Sequence, residues 1–129
     1  MNVIVNDAGF KDAEVLTYEG ANLWLENDAD VASVDFGNVA LIAIPFPAYS
    51  DGRGFGLARA LRRAGFSGHL RAVGHVIADQ YAMARRVGFD DVEISEELAK
   101  RQPEAQWLDR ANWQAFDYQS RLGQKKSEL

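Results

Sequence analysis

Apolar positions fall into short runs divided by turn-forming residues, and their spacing changes along the chain. "NVIV" followed by "NDAG" and "AEVLTY" predicts a hairpin turned by Asn6, Asp7 and Gly9, with Val15 on the second strand. "ANLWLENDAD" predicts another extended segment, with Leu23 and Leu25 on one face and Trp24 on the other. "VALIAI", residues 39–44, is apolar without alternation, as in a strand covered on both faces. Pro45 and Pro47 remove backbone donors and are expected to end it in a loop.

From Gly54 the period lengthens. Leu57, Ala60, Leu61 and Ala64 recur at helical spacing, opposite Arg59, Arg62 and Arg63, until Gly65 stops the helix. "HLRAVGHV" returns to strand spacing, with Leu70 and Ala72 facing away from Arg71 and Val73, and Gly74 at its end. Arginine is rarely buried in a parallel strand, so Arg71 is expected at an edge or reaching past a strand end. Asp79 is expected to cap a helix running through Arg86, with Met83, Ala84 and Val87 inward and Gly88 closing it. "FDDVEI" predicts a third strand, and the order strand, helix, strand, helix, strand argues for parallel crossovers. Ser95, Glu96 and Glu97 open a further helix, Pro103 another bearing Trp107, Leu108 and Ala111, and Trp113, Phe116 and Tyr118 add aromatic surface.

The chain reads as one α/β domain over residues 1–129: a small mixed sheet, open and three-layered or partly barrel-like, around a parallel βαβαβ centre at 39–94. An N-terminal hairpin and cover occupies 1–38, and a C-terminal helical and aromatic segment 95–129. A length of 129 residues suits a single core. No apolar window reaches the roughly eighteen residues of a bilayer span, and no basic segment leads into a long apolar one, so a cytoplasmic protein without membrane contact is expected. The absence of cysteine excludes disulfides, thiolate nucleophiles and cysteine-ligated metal or iron–sulfur centres.

Net charge is −5, yet residues 53–86 hold seven arginines against the single acid Asp79, so the remainder is strongly acidic. Such mixed charge argues against nucleic acid as a partner. The richest chemistry lies in "PFPAYSDGRGFG", between strand and helix, where ligands commonly sit in parallel folds. Gly52 and Gly54 allow close backbone approach, and Arg53, with Arg71, can hold a sulfate, phosphate or carboxylate. The same letters also suit a structural corner in which Asp51 caps the helix and pairs with Arg53.

GRGFG lacks the dinucleotide spacing, and no phosphate-loop lysine is present, so the cofactor stays unassigned. In the next corner, "GHVIADQ", His75 could move a proton with Asp79 orienting its ring, which makes Asp51, Arg53, His75 and Asp79 the candidate catalytic set. His69 sits at the opposite strand end, and Asp51, His75 and Asp79 form only a loose ligand set, so no metal is assigned. The aromatic residues Trp107, Trp113 and Tyr118 either cover the sheet or anchor a symmetric partner, as in a homodimer.

The run "FPAYSDGRGFGLARALRRAGFSGHLRAVGHVIADQYAMARRVGFDDVEI" resembles the bacterial DUF934 family, from its FP and DGR signature through LRA and DQ to GFD. Family-like positions are Asp51, Gly52, Arg53, Arg71, Gly74, Asp79, Gln80, Gly88, Phe89 and Asp90. His69 stands where the family usually has an acid, His75 where it often has an aspartate, and Phe55 and Gly56 replace a YS pair. Any chemistry carried by those acids would be altered here.

Proteins of this family are often labelled oxidoreductases of sulfite reduction. The resemblance therefore implies an accessory protein of sulfur assimilation that binds a small anion or a partner such as sulfite reductase. The alternatives are a small enzyme or oxidoreductase component using the four cleft residues, and a structural homo-oligomer.

Overall fold

The computed structural model describes residues 2–12 and 21–113. The strands are β1 (Val3–Asn6), β2 (Gly9–Asp12), β3 (Ala21–Trp24), β4 (Val39–Phe46), β5 (His69–Gly74) and β6 (Asp91–Ile94). The helices are α1 (Arg53–Arg63), α2 (Tyr81–Val87), α3 (Glu96–Arg101) and α4 (Glu104–Arg110), with 3₁₀ turns at Val31–Ser33 and Ala78–Gln80. The strands form one open mixed sheet, in the order β2-β1-β6-β5-β4-β3. Neighbours from β3 to β6 run parallel, β1 is antiparallel to β6, and β2 to β1. The parallel centre expected from residues 39–94 is present, and β3 extends it by one strand.

The hairpin closes sooner than its letters imply. Asn6 Oδ1 accepts from Ala8 N at 2.8 Å, and the second strand starts at Gly9, pairing Phe10 with Val5. Val15, the expected strand residue, lies outside the described residues, as do Phe116 and Tyr118. On β2, Phe10 N donates outward to Glu104 Oε2 of α4 at 2.7 Å.

β4 continues through Pro45 to Phe46 instead of ending at Ile44. Successive residues of a strand bond to opposite neighbours, and Ala43 O accepts from Leu25 N on the β3 side at 2.9 Å. Pro45 thus turns its missing donor toward β3, where the ladder has already stopped at Ala43. Toward β5, pairing continues to Phe46 and Gly74.

All four helices join one core with one sheet face: Leu57 and Leu61 of α1, Tyr81 of α2, Leu98 of α3 and Trp107 of α4 pack with Ile42, Ile44, Leu70, Ala72 and Val92. Truncating a wholly buried leucine such as Leu61 typically costs about 2–5 kcal/mol. The inward stripe of α1 is Gly54, Leu57, Ala58 and Leu61, whereas Ala64 is exposed. A Cβ on Gly54 would lie 2.5 Å from the Phe46 ring, so α1 docks by its glycine and the stripe rotates to suit. In α2 the inward residues are Tyr81, Ala84 and Val87, and Met83 is exposed, because the preceding 3₁₀ turn sets the phase from Tyr81. Trp107 is buried and covers the core, with its indole N–H donating to Gln102 O at 2.9 Å.

The opposite face of the sheet carries Leu41, His69, Arg71, Asp91 and Ile4, by strand alternation. Ile4 and Leu41 are buried yet stand outside the main core cluster. Arg71 corrects the sequence expectation, since it is buried in a central strand with Asp91 opposite it on β6. Several other arginines are also structural. Arg62 donates to Gly88 O, Phe66 O, Gly68 O and Asp90 Oδ2, tying the end of α1 to two loops. Arg85 and Tyr81 of α2 hold Asp7 in the hairpin turn, joined by the indole N–H of Trp113.

Candidate functional site

The parallel register sets Phe46 beside Gly74, so the loops leaving β4 and β5 emerge side by side on one rim. They bond to each other. His75 N donates to Phe46 O at 2.8 Å, and Gln80 Nε2 to Tyr49 O at 3.0 Å. The His75 ring lies edge-on to Tyr49, with centroids 5.0 Å apart, and its Nδ1 is 3.2 Å from Phe46 O. Gly74, at φ +117°, permits this approach, because a Cβ there would meet Phe46 O at 2.7 Å.

On the first corner, Arg53 forks onto Asp51: Nε donates to Oδ1 at 3.0 Å and Nη2 to Oδ2 at 2.8 Å. Arg53 N also donates to Asp51 Oδ1 at 3.2 Å, so Asp51 satisfies a free amide at the helix start although Gly52 holds the cap position. Asn27 Nδ2 adds a bond to Asp51 Oδ2 at 3.1 Å. The Arg53 side chain, its backbone amide and Asn27 together hold the Asp51 carboxyl well below the usual carboxylate range. Gly54 serves contact with Phe46, while a Cβ on Gly52 meets nothing closer than Phe55 at 3.8 Å.

Asp79 does not cap the following helix. Gln80 Oε1 accepts from Ile77 N at 3.0 Å and fixes that turn, leaving exposed Asp79 to pair with Arg110 of α4 at 2.8 Å. Of the four candidate catalytic residues, only Asp51 and Arg53 bond to each other; His75 and Asp79 hold separate partners.

Arg71 stands apart from that corner, on the sheet face. Its Nε donates to Asp91 Oδ1 at 2.9 Å and its Nη2 to Asp91 Oδ2 at 3.1 Å; Nη1 lies 3.8 Å from Glu93. His69 Nε2 donates to Asp91 Oδ2 at 2.9 Å. Burial pushes the Asp91 carboxyl up, but the hydrogen bonds from His69 and Arg71 outweigh it and hold the group below its ordinary value. This cluster was missed from sequence, although "HLR" and "DVE" repeat basic and acidic residues at strand period on adjacent strands.

Beside Arg53, an open groove of about 460 Å³ runs between α1 and the segment from Asn27 to Val31, with Leu57 and Ala60 in its wall. Among the described residues no three histidine, aspartate or glutamate side chains gather as metal ligands. No described helix is long and apolar enough to cross a membrane. The family model described as "Bacterial protein of unknown function (DUF934)" matches residues 22–128. No curated protein and no solved structure matches the chain.

Proposed function

The chain belongs to the DUF934 family, and we propose that it is a non-catalytic accessory protein of sulfur assimilation which docks a partner enzyme on the rim where the two corners meet. One observation supports this above the others: Asp51, Arg53, His75 and Asp79 are each bonded within their own protein. A rim stiffened in that way suits recognition, whereas proton transfer needs an acid and base aimed at a common substrate. The sulfur setting comes from the label that resembling proteins carry.

Tagged protein purified from its own bacterium grown on sulfate, at moderate salt, is expected to retain sulfite reductase or another assimilation enzyme. Tyr49→Ser, at an exposed site beside His75, is expected to reduce that retention. A folded bait that captures no such enzyme, or a bound chromophore that turns over, would overturn the reading.

A further inference from the structure

We propose that the outer surface shared by α1 and α2 binds an acidic segment of a partner protein and seats an apolar side chain of that segment on Met83. The surface lies away from the rim, and its assignment does not depend on the accessory reading.

The first observation is how the structure divides the arginines of residues 53–86. Arg53 is forked onto Asp51 and Arg71 onto Asp91. Arg62 holds the carbonyls of Phe66, Gly68 and Gly88 together with Asp90, and Arg85 holds Asp7 and Phe89 O. Arg59 and Arg63 are exposed and make no hydrogen bond or ion pair among the described residues, and exposed Arg86 has one long bond, from Nη2 to Trp113 O at 3.4 Å. Helix C-termini favour cations, which accounts for Arg63 and Arg86 in the last turns of their helices. Arg59 is mid-helix and one turn from Arg63, a spacing at which like charges repel. Neither helix contains an acid to offset them.

The second is position. Residues advance by about 100° along a helix, so with Gly54, Leu57, Ala58 and Leu61 inward, Arg59 and Arg63 point outward and Arg62 points toward α2, where it bonds Gly88 O. With Tyr81, Ala84 and Val87 inward, Arg85 leaves α2 on the hairpin side for Asp7, Met83 leaves on the opposite flank, toward α1, and Arg86 points outward. Met83, 49% exposed, thus lies over the seam between Arg59 of one helix and Arg86 of the other.

The third is complementarity. Arginine forks match carboxylates, and an exposed thioether adapts to varied apolar shapes. The cationic area is small: past Ala60 the flank of α1 turns to Asp28 and Asp30 across the groove. An extended polyanion would meet repulsion there, whereas a short acidic segment would not. This chain's own residues 114–129 carry Arg121, Lys125 and Lys126 against Asp117 and Glu128, so they are not that segment.

The test is an NMR titration of the whole chain, at constant ionic strength, with an acetylated and amidated pentapeptide of four acids around a central leucine. Met83 and Met1 are the only methionines, so the Met83 methyl signal reports directly. Saturable shifts are expected at that methyl and at the amides of Arg59, Arg63 and Arg86, with about tenfold weaker binding when serine replaces the central leucine. The double variant Arg59→Gln, Arg63→Gln keeps good helix formers at exposed sites. It is expected to melt no lower than the parent and to bind the leucine peptide about tenfold more weakly.

Equal binding of the serine peptide, full binding by the double variant, or no saturable shift would each overturn the proposal. A short DNA duplex or phosphatidylglycerol vesicles that bind the surface more tightly than the leucine peptide would overturn it in favour of a nucleic acid or a membrane. A parent chain that sediments as a dimer, with a double variant that sediments as a monomer, would overturn it in favour of a second copy.

Discussion

Two arginine–aspartate forks in this protein share a geometry and differ in surroundings. Arg71 and Asp91 bond at 2.9 and 3.1 Å with side chains 7% and 3% exposed, whereas Arg53 and Asp51 bond at 3.0 and 2.8 Å with side chains 61% and 14% exposed. The inner fork sits across two central strands, where losing one partner strands a charge away from water. Water replaces either partner of the outer fork, so its value lies in holding a corner in shape. Geometry alone does not rank an ion pair. Burial does.

The largest effect is expected from Arg71→Ala, which leaves Asp91 buried without the fork from Arg71; a loss of about 3–5 kcal/mol, read by urea unfolding, is the expected outcome. Replacing both members, Arg71→Met with Asp91→Leu, is expected to recover much of that loss. A single variant as stable as the parent would break the contrast between the forks.

Next comes acid. The Asp91 pKa is depressed on folding, so its stabilisation is present above the unfolded carboxylate value of about 3.9 and is lost as pH falls through the lower folded value. Urea midpoints taken down a pH series are expected to hold above about 3.9 and to fall as pH drops below it toward the folded value. Arg71→Met should start the fall at higher pH, because burial then raises the carboxyl with only His69 to oppose it.

A smaller step separates the two glycines of the outer corner. Gly54→Ala pushes into the Phe46 ring and is expected to cost about 1–3 kcal/mol, whereas Gly52→Ala, whose Cβ would make only an ordinary contact with Phe55, is expected to leave thermal unfolding unchanged. The smallest effect is expected from Arg53→Ala, whose denaturant midpoint should match the parent. A marked shift there would show that the outer fork carries stability as the inner one does.

How much of this was legible in the letters depended on the range of the contact. "VALIAI", "HLRAVG" and the α1 run declare strand and helix because their periodicity is local. Pro45 misled because its place in β4 depends on where a neighbouring strand stops. Arg71 misled for a related reason: its partner lies on β6, and only the parallel register brings Asp91 opposite. The Asp51–Arg53 fork was legible, being two residues apart. Asp79 was not, since a cap and a surface acid look alike until α4 delivers Arg110. Asn27 escaped because an asparagine in a loop has no distinctive spacing.

The Glu104 carboxylate on Phe10 N has a consequence for assembly. It occupies an outward donor that an added strand at the β2 border would require, so that border is a poor template for sheet growth. Joining through strands is thereby steered to the β3 border, and ribbon-like polymers, which need both borders, are disfavoured by one helix side chain.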